Sequence, residues 1–142
     1  MASGLFKNFK VKQMNLDATA PGSVDFLTDT LQPSLPDAGG ANAPVLATDE
    51  DLADITLFNA DHQGGDLASL ATSAGYYDAA DTTITAPTIE AAGHKDVMLH
   101  KEHGTHTSAT LIAIFDLGTP VITDGNDVII QWNASGILDF GP

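Results

Sequence analysis

The stretch TSATLIAIFDL, residues 107–117, is the most apolar run in the chain and is the best guide to its fold. Side chains alternate between the two faces of a strand, so Leu111 and Phe115 would lie on one face, and Ile112 and Ile114 on the other. Apolar residues on both faces are typical of a strand that is covered on both sides. The run therefore predicts a central strand of a β-sheet.

Further segments of strand length, separated by turn-forming residues, surround this run. Strands are predicted over residues 95–101, over NDVIIQWN at 126–133 and over GILDF at 136–140. Turns are predicted at Gly-Thr-Pro, residues 118–120, and at TDGND, residues 123–127. Short turns join antiparallel neighbours. The pattern predicts a mainly β fold, an antiparallel β-sandwich or jelly-roll-like domain.

The predicted core consists of apolar side chains that share a strand face with other apolar residues. Trp132 belongs to it because Val128 and Ile130 lie on the same face. The predicted core residues are Val97, Leu99, Leu111, Phe115, Val128, Ile130 and Trp132.

The N-terminal half has weaker patterns. Residues 26–35 predict a strand, which Pro33 would confine to a sheet edge because proline cannot donate a ladder hydrogen bond. Residues 36–82 are rich in turn-forming residues and predict long loops, with a short helix over 49–55. We expect residues 17–142 to form a single domain.

The first 16 residues differ from the rest in charge. They hold three of the five lysines and none of the 19 acids of a chain whose net charge is −14. This reversal of sign predicts that residues 1–16 are an N-terminal arm that binds an acidic partner. Its expected contact residues are the apolar anchors Leu5, Phe6 and Phe9 and the basic Lys7, Lys10 and Lys12.

Composition excludes several classes of function. The remaining residues carry two lysines against 19 acids, and such an acidic body repels phosphate, so we expect no nucleic-acid partner. No cysteine is present, which excludes disulfides and thiolate zinc sites. No apolar run approaches the roughly 20 residues of a membrane-spanning helix. The first residues also lack the apolar core of a signal peptide, so we expect no membrane partner and no secretion.

Four of the five histidines lie in HKDVMLHKEHGTH, residues 94–106. His94 and His100 would share a strand face, and the spacing His103-x-x-His106 suggests a metal site. This spacing fits no closed zinc pattern, however, and no glutamate follows His106, as a cupin-type site would require. The segment is better interpreted as a solvated hairpin turn, and no metal ligand is expected.

Motifs for catalysis and cofactor binding are missing from the sequence. There is no G-x-S-x-G nucleophile elbow and no cysteine nucleophile. The glycines in DHQGGD, residues 61–66, are not followed by the lysine of a phosphate loop. We therefore expect no enzymatic activity, no catalytic residue and no cofactor.

Three segments of the C-terminal half resemble a known group of proteins. They are LIAIFDLG (111–118), TDGND (123–127) and IQWNASGIL (130–138). Their order resembles that in a widespread group of small virion structural proteins of tailed bacteriophages. The group has more aromatic residues where this chain has Leu99 and His100, and it builds the turn that follows without histidine.

The resemblance implies a non-enzymatic structural role in a virus particle. The expected function is that of a capsid decoration (cement) protein, and the alternative is a tail or neck/adaptor subunit. Expected partners are the major capsid protein and further copies of the chain, as a homotrimer or another homo-oligomer. The expected location is the capsid surface of the virion, after assembly in the host cytoplasm.

Overall fold

The computed structural model describes residues 4–6, 24–36, 44–55, 60–73, 76–102, 109–133 and 136–139. In these ranges the strands are β1 (Gly4–Leu5), β2 (Leu31–Ser34), β3 (Ala71–Ser73), β4 (Tyr76–Asp78), β5 (Thr82–Ile84), β6 (Glu90–Lys101), β7 (Thr110–Thr123), β8 (Val128–Ile130) and β9 (Leu138–Asp139). Two 3-10 helices span Leu52–Asp54 and Ala60–His62.

The long strands β6 and β7 form the centre of a four-stranded sheet. Its order is β1-β7-β6-β2, and every neighbouring pair is antiparallel. The consecutive residues Leu111, Ile112, Ala113 and Ile114 of β7 are all buried. Consecutive side chains point to opposite faces, so both faces of the sheet are covered here. The prediction of a doubly covered central strand in 107–117 is confirmed.

Two smaller antiparallel sheets complete the described fold. One has the order β3-β4-β9, and the other pairs β5 with β8. Tyr77 of β4 and Leu138 of β9 belong to the same buried cluster as Leu99 of β6 and Ile114 of β7. The small sheet therefore packs its apolar side chains with those of the large one. The prediction of a mainly β fold built from antiparallel sheets is confirmed.

The predicted core residues lie in two neighbouring buried clusters. Phe115 and Trp132 are half-buried and pack against both clusters, with their ring centroids 5.8 Å apart in an edge-to-face contact. These two aromatic residues therefore join the clusters. Of the other predicted core residues, Val97, Leu99, Leu111 and Ile130 are buried and Val128 is half-buried.

Strand β2 lies at the edge of the large sheet. Pro33 is the register partner of Leu99 on β6, and no described strand pairs with the other side of β2. Proline has no backbone N–H, so inside a sheet it would leave a ladder hydrogen bond unmade. An edge strand tolerates it because one of its sides needs no such bond. The predicted edge strand is thus present over a shorter range than 26–35, but the prediction that Pro33 interrupts it is wrong, because β2 runs through Pro33 to Ser34.

The Gly-Thr-Pro segment at 118–120 is not a turn between strands, contrary to the prediction. It lies inside β7, where the ladder pairs His94 with Val121 and Asp96 with Asp116. Two steps along β6 thus face five steps along β7, so the residues between 116 and 121 bulge out of the sheet. The Gly118 N–H donates to Asp116 Oδ1 at 2.7 Å, and Gly118 has a φ of 70°. The TDGND turn does connect β7 to β8 as predicted.

The segment expected to be loops, 36–82, contains more structure than predicted. Both 3-10 helices and strands β3 and β4 lie within it. The helix expected over 49–55 is only one 3-10 turn, Leu52–Asp54, and its N-cap is Asp51. The Asp51 carboxylate accepts the Ala53 N–H at 3.0 Å, and the Asp54 carboxylate accepts the N–H of Asp51 at 3.4 Å. Reciprocal capping of this kind stabilises so short a turn.

Candidate functional site

The expected N-terminal arm begins inside the large sheet. Gly4 pairs with Ile114 and Leu5 with Ala113, and the Phe6 N–H donates to the Ile112 carbonyl oxygen at 3.0 Å. Phe6 is fully buried, and Leu5 packs against the same core cluster. The expectation that Leu5 and Phe6 are anchors for a partner is wrong in this structure, because they are core residues of the domain itself.

The remaining arm residues of the prediction lie outside the described ranges: Lys7, Phe9, Lys10 and Lys12. The described residues on either side of them limit where this part of the chain can go. Next to Phe6 on the β7 edge, the Glu50 carbonyl oxygen accepts the Leu111 N–H at 3.0 Å, and Asp51 forms a bridge to Thr110. Beyond Ile112, this edge of β7 is therefore occupied by Glu50 and Asp51.

Both ends of the basic segment are held by one core cluster. Phe6 precedes residues 7–23, and Val24 follows them, and both side chains belong to the same buried cluster. The three lysines therefore lie in a connection attached to the domain at both ends. Residues 4–6 of the expected N-terminal arm are thus part of the domain, and the rest of residues 1–16 lies outside the described residues.

The described surface is strongly acidic. Seventeen of the 19 acids but only two of the five lysines fall in the described ranges, because Asp17, Asp37 and the three N-terminal lysines lie outside them. Lys101 forms an ion pair with Asp29, with 2.7 Å between Nζ and Oδ2. A partner that binds this surface must therefore offer apolar or basic groups, since an acidic one would be repelled.

His94 is a buried residue rather than part of a solvated turn. Its Nδ1 lies 3.1 Å from the Pro36 carbonyl oxygen, and its ring meets that of His62 edge to face, with 4.6 Å between centroids. His62 Nε2 in turn lies 3.0 Å from the Thr88 carbonyl oxygen. A carbonyl oxygen only accepts, so Nδ1 of His94 and Nε2 of His62 each carry the hydrogen. The pair joins the second 3-10 helix to β6.

His100 is also fully buried, on the side of β6 that faces β2. Its Nδ1 lies 3.8 Å from Glu102 Oε1, and its register partner is Gln32. Gln63 Nε2 donates to the side-chain oxygen of Gln32 and, at 3.3 Å, to Glu102 Oε1. The prediction of a solvated turn is wrong for His94 and His100, while His103 and His106 lie outside the described residues.

Neither a metal site nor a serine–histidine pair that a substrate could reach is present in the described part of the chain. No group of three or more histidine, aspartate or glutamate side chains there is arranged to hold a metal ion. Ser34 shares the β2–β6 ladder with His100, and both side chains are completely buried. A substrate in solution cannot contact either group in this conformation.

Asp96 and Asp116 face each other across the central hairpin. Asp96 is buried, and its Oδ1 has no hydrogen-bond partner among the residues that the structure describes. Burial raises the pKa of Asp96, and the charge of Asp116 adds to this effect. Asp116 is exposed, and the Gly118 N–H holds its pKa below the usual value. Two carboxylates in different surroundings therefore lie at the point where β7 bulges.

Exposed apolar side chains gather at the open end of the central hairpin. Ile89 is 67% exposed and Ile122 is 63% exposed. Ile89 precedes Glu90 and Ile122 precedes Thr123, and Glu90 and Thr123 are register partners. Because successive side chains alternate between the two faces of a sheet, Ile89 and Ile122 lie on the same face. A Cβ added at Gly93 would lie 3.1 Å from Pro120 Cβ and 3.4 Å from Ile122 Cγ1, so these residues adjoin.

We call Ile89, Pro120 and Ile122 the apolar patch. Isolated exposed apolar residues are normal, but adjoining ones rimmed by polar groups often mark a contact surface. The sequence did not reveal the patch, because isoleucine in a β-pattern is normally assigned to the core.

An apolar cleft of about 190 Å³ lies beside β1. Its lining consists of Gly4, Leu5, Ala113, Ile114, Phe115, Ile137 and Leu138. Sites for small ligands usually measure roughly 300–1,000 Å³ and contain a few placed polar groups. The side chains around this cleft are apolar and the volume is small, so it offers little to orient a small ligand.

Comparisons with known proteins return no match: no family model, no curated protein and no solved structure is significantly similar to the chain. None of the helices in the described ranges is long and apolar enough to cross a membrane.

Proposed function

We propose that this chain is a non-enzymatic structural protein of a bacteriophage particle, which binds the outer surface of the capsid lattice as a decoration protein. The proposal begins from the resemblance of 111–118, 123–127 and 130–138 to small virion proteins. The first of these segments lies in β7, the second is the turn that follows, and the third runs from β8 to β9. The three matching segments are thus consecutive along the chain, and their strands β7, β8 and β9 belong to three different antiparallel sheets.

The structural observation that carries the proposal is the apolar patch on an acidic body. Ile89 and Ile122 each keep more than half of their surface in solvent, although a fold of this size has a core that could bury them. Burying two such side chains against a partner would contribute roughly 1.5–3 kcal/mol each. A small gain per copy is sufficient for a protein that attaches to a repeating lattice in many copies.

The basic connection between Phe6 and Val24 supplies a second contact of opposite character. Its lysines are the positive groups nearest the N-terminus, and the body that carries them is acidic. Exposed ion pairs contribute little individually and weaken with salt. We therefore assign binding strength to the apolar patch and orientation on the partner to Lys7, Lys10 and Lys12.

The test is a binding experiment on capsids stripped of the native copy. Purified wild-type chain and the variant Ile89→Thr/Ile122→Thr are mixed with the capsids, which are sedimented and analysed for bound chain. The matched control is Ile129→Thr, because Ile129 is 61% exposed on the β5–β8 sheet, outside the apolar patch. Threonine keeps the β-propensity of isoleucine, so folding is preserved.

The proposal predicts a loss of retention of at least tenfold for the double variant and wild-type retention for the control. Equal retention of all three proteins would remove the apolar patch from the contact. Failure of the wild-type chain to bind any capsid would contradict the decoration function itself.

A further inference from the structure

The turn from β7 to β8 contains an Asp-Gly step, Asp124–Gly125, which is the sequence most prone to spontaneous rearrangement of an aspartate. Both residues are exposed, and in the described part of the chain nothing lies within 4 Å of the place where a Gly125 Cβ would stand. Neither neighbouring side chains nor burial hinders the reaction there. The question is what protects the chain at this step.

The reaction is a cyclisation followed by hydrolysis. The Gly125 backbone nitrogen attacks Asp124 Cγ, a C–N bond forms, and the C–O bond to the carboxyl hydroxyl breaks. One water leaves, which carries away the amide proton and the hydroxyl, and a five-membered succinimide remains. Water then adds to either ring carbonyl and restores aspartate or gives isoaspartate, with no net change of mass.

Two conditions must be met before the ring can close. The carboxyl group has to be protonated, because a hydroxyl leaves as water far more easily than an oxide leaves from a carboxylate. Its carbon also has to turn towards the nitrogen of the next residue. A group that keeps the carboxylate ionised and fixed in another direction will therefore slow the reaction.

Asn126 opposes both of these conditions in this turn. Its backbone N–H donates to Asp124 Oδ1 at 3.1 Å, and its side-chain Nδ2 donates to Oδ2 at 3.0 Å. Each carboxylate oxygen is therefore held by the residue beyond the glycine. The same two hydrogen bonds lower the pKa of Asp124, with the backbone N–H of Asn126 as the larger cause.

We propose that Asn126 protects the Asp124–Gly125 step from isoaspartate formation by clamping the Asp124 carboxylate. Asp124–Gly125 is thus the modification site of this chain, and Asn126 is its positioning residue. The step also follows a residue that links the end of β7 to the start of β6. Thr123, the residue before the step, accepts the Glu90 N–H through Oγ1 and donates the same hydroxyl to the Thr88 carbonyl oxygen.

Isoaspartate adds one backbone carbon to the turn. The extra atom would shift Thr123 relative to β8 and disturb the end of the hairpin that carries Ile122. The proposal does not depend on the binding function, because the chemistry and the geometry of the turn are sufficient for it.

The test measures the rate of isoaspartate formation at residue 124 at 37 °C and neutral pH, by proteolysis and fragmentation mass spectrometry. The samples are the folded wild-type chain, the same chain in urea, and folded Asn126→Ala. Folded Thr119→Ala serves as the matched control, because Thr119 is exposed on β7, whereas the hydrogen bonds to the Asp124 carboxylate come from Asn126. Circular dichroism verifies that each variant is folded.

Folded wild-type chain should react roughly tenfold more slowly than the chain in urea, since the value of one hydrogen bond corresponds to about that factor in rate. Asn126→Ala removes the side-chain bond to Oδ2 and keeps the backbone N–H that donates to Oδ1, so it should recover a measurable part of this difference, and Thr119→Ala none of it. Equal rates in folded and urea-treated wild-type chain would overturn the proposal. So would a folded Asn126→Ala variant that reacts as slowly as wild type. If Asn126→Ala unfolds, Asn126→Asp replaces it, because its carboxylate cannot donate to Asp124 and the same acceleration is expected.

Discussion

The backbone N–H of Phe6 donates to the carbonyl oxygen of Ile112 at 3.0 Å, and both side chains are completely buried in one cluster. Residues 4–6 are thus bonded to the edge of β7 in the central sheet. Deleting residues 1–16 would remove a core aromatic residue and the strand beside β7. Such a deletion would test the stability of the domain before it tested any contact with a partner.

Phe6→Ala should lower the free energy of unfolding by about 3–5 kcal/mol, as for other truncations of buried aromatic residues. Chemical denaturation monitored by circular dichroism measures the change. Ile129→Ala is the control, because Ile129 is 61% exposed and its truncation should change stability little. Similar stability of the Phe6→Ala variant and the control would show that Phe6 is not in the core.

The basic connection is tested separately by Lys7→Gln/Lys10→Gln/Lys12→Gln, which keeps Phe6. Removal of these three charges should leave the midpoint of denaturation nearly unchanged, because single ion pairs of lysine generally contribute little to stability. Attachment to capsids should weaken most at low ionic strength, because salt already screens these charges in the wild type. Wild-type attachment at every salt concentration would exclude the lysines from the contact.

Asp96→Asn should raise the stability at neutral pH. The folded state holds the Asp96 proton more tightly than the unfolded chain does, because burial raises the pKa. Stability therefore falls as the pH rises from about 3.9, the unfolded value, through the raised folded pKa, and stays reduced above it. The advantage of the variant should be largest near pH 7 and shrink as the pH falls towards 4.

Asp116→Asn provides the contrast for this pH dependence. The Gly118 N–H lowers the pKa of Asp116, so its ionised form stabilises the fold above about pH 3.9 and that contribution is lost as the pH falls through the lowered folded pKa. The two variants should therefore differ from wild type with opposite signs in denaturation curves measured from pH 3 to pH 7. The same sign for both would contradict the assigned surroundings.

His94→Leu should destabilise the domain by about 1–3 kcal/mol, because the Pro36 carbonyl oxygen loses its buried donor. His94→Asn is the matched variant, since its Nδ2 can take the place of the ring Nδ1 while the contact with His62 is lost. We expect it to be the more stable of the two in thermal denaturation. Wild-type stability of His94→Leu would restore the interpretation of a solvated turn.

Trp132→Ala should cost about 2–4 kcal/mol, somewhat less than for a fully buried aromatic residue, because Trp132 is half-buried. Trp132→Phe keeps the edge-to-face contact with Phe115 but loses the Nε1–H bond to Thr82 Oγ1 at 3.4 Å, so about 1 kcal/mol is expected. Denaturant titration followed by circular dichroism compares the three proteins. An unchanged midpoint for Trp132→Ala would argue for an exposed binding platform.

The central strands were predictable because their signal is local. Leu111 to Ile114 are apolar at four consecutive positions, and only a doubly covered strand tolerates that pattern. Pro33 marked an edge for an equally local reason, its missing N–H. Such features depend on side-chain chemistry and on the period of the strand alone.

Other features depend on which segments meet, and the sequence contains no local signal for them. Phe6 is buried only because β1 pairs with β7, more than 100 residues away along the chain. His94 is buried because residues of the second 3-10 helix and Pro36 cover it. Gly118 looked like part of a turn because the glycine of a bulge and the glycine of a turn both adopt a positive φ.

The central claim is that many copies of this chain cover a capsid, and the copy number per purified particle tests it most directly. Quantitative mass spectrometry of particles, referenced to the major capsid protein, measures that number. Decoration predicts on the order of one hundred copies or more, because an icosahedral lattice repeats its binding site. About a dozen copies or fewer would contradict decoration and favour the tail or neck alternative, and complete absence would contradict any role in the particle.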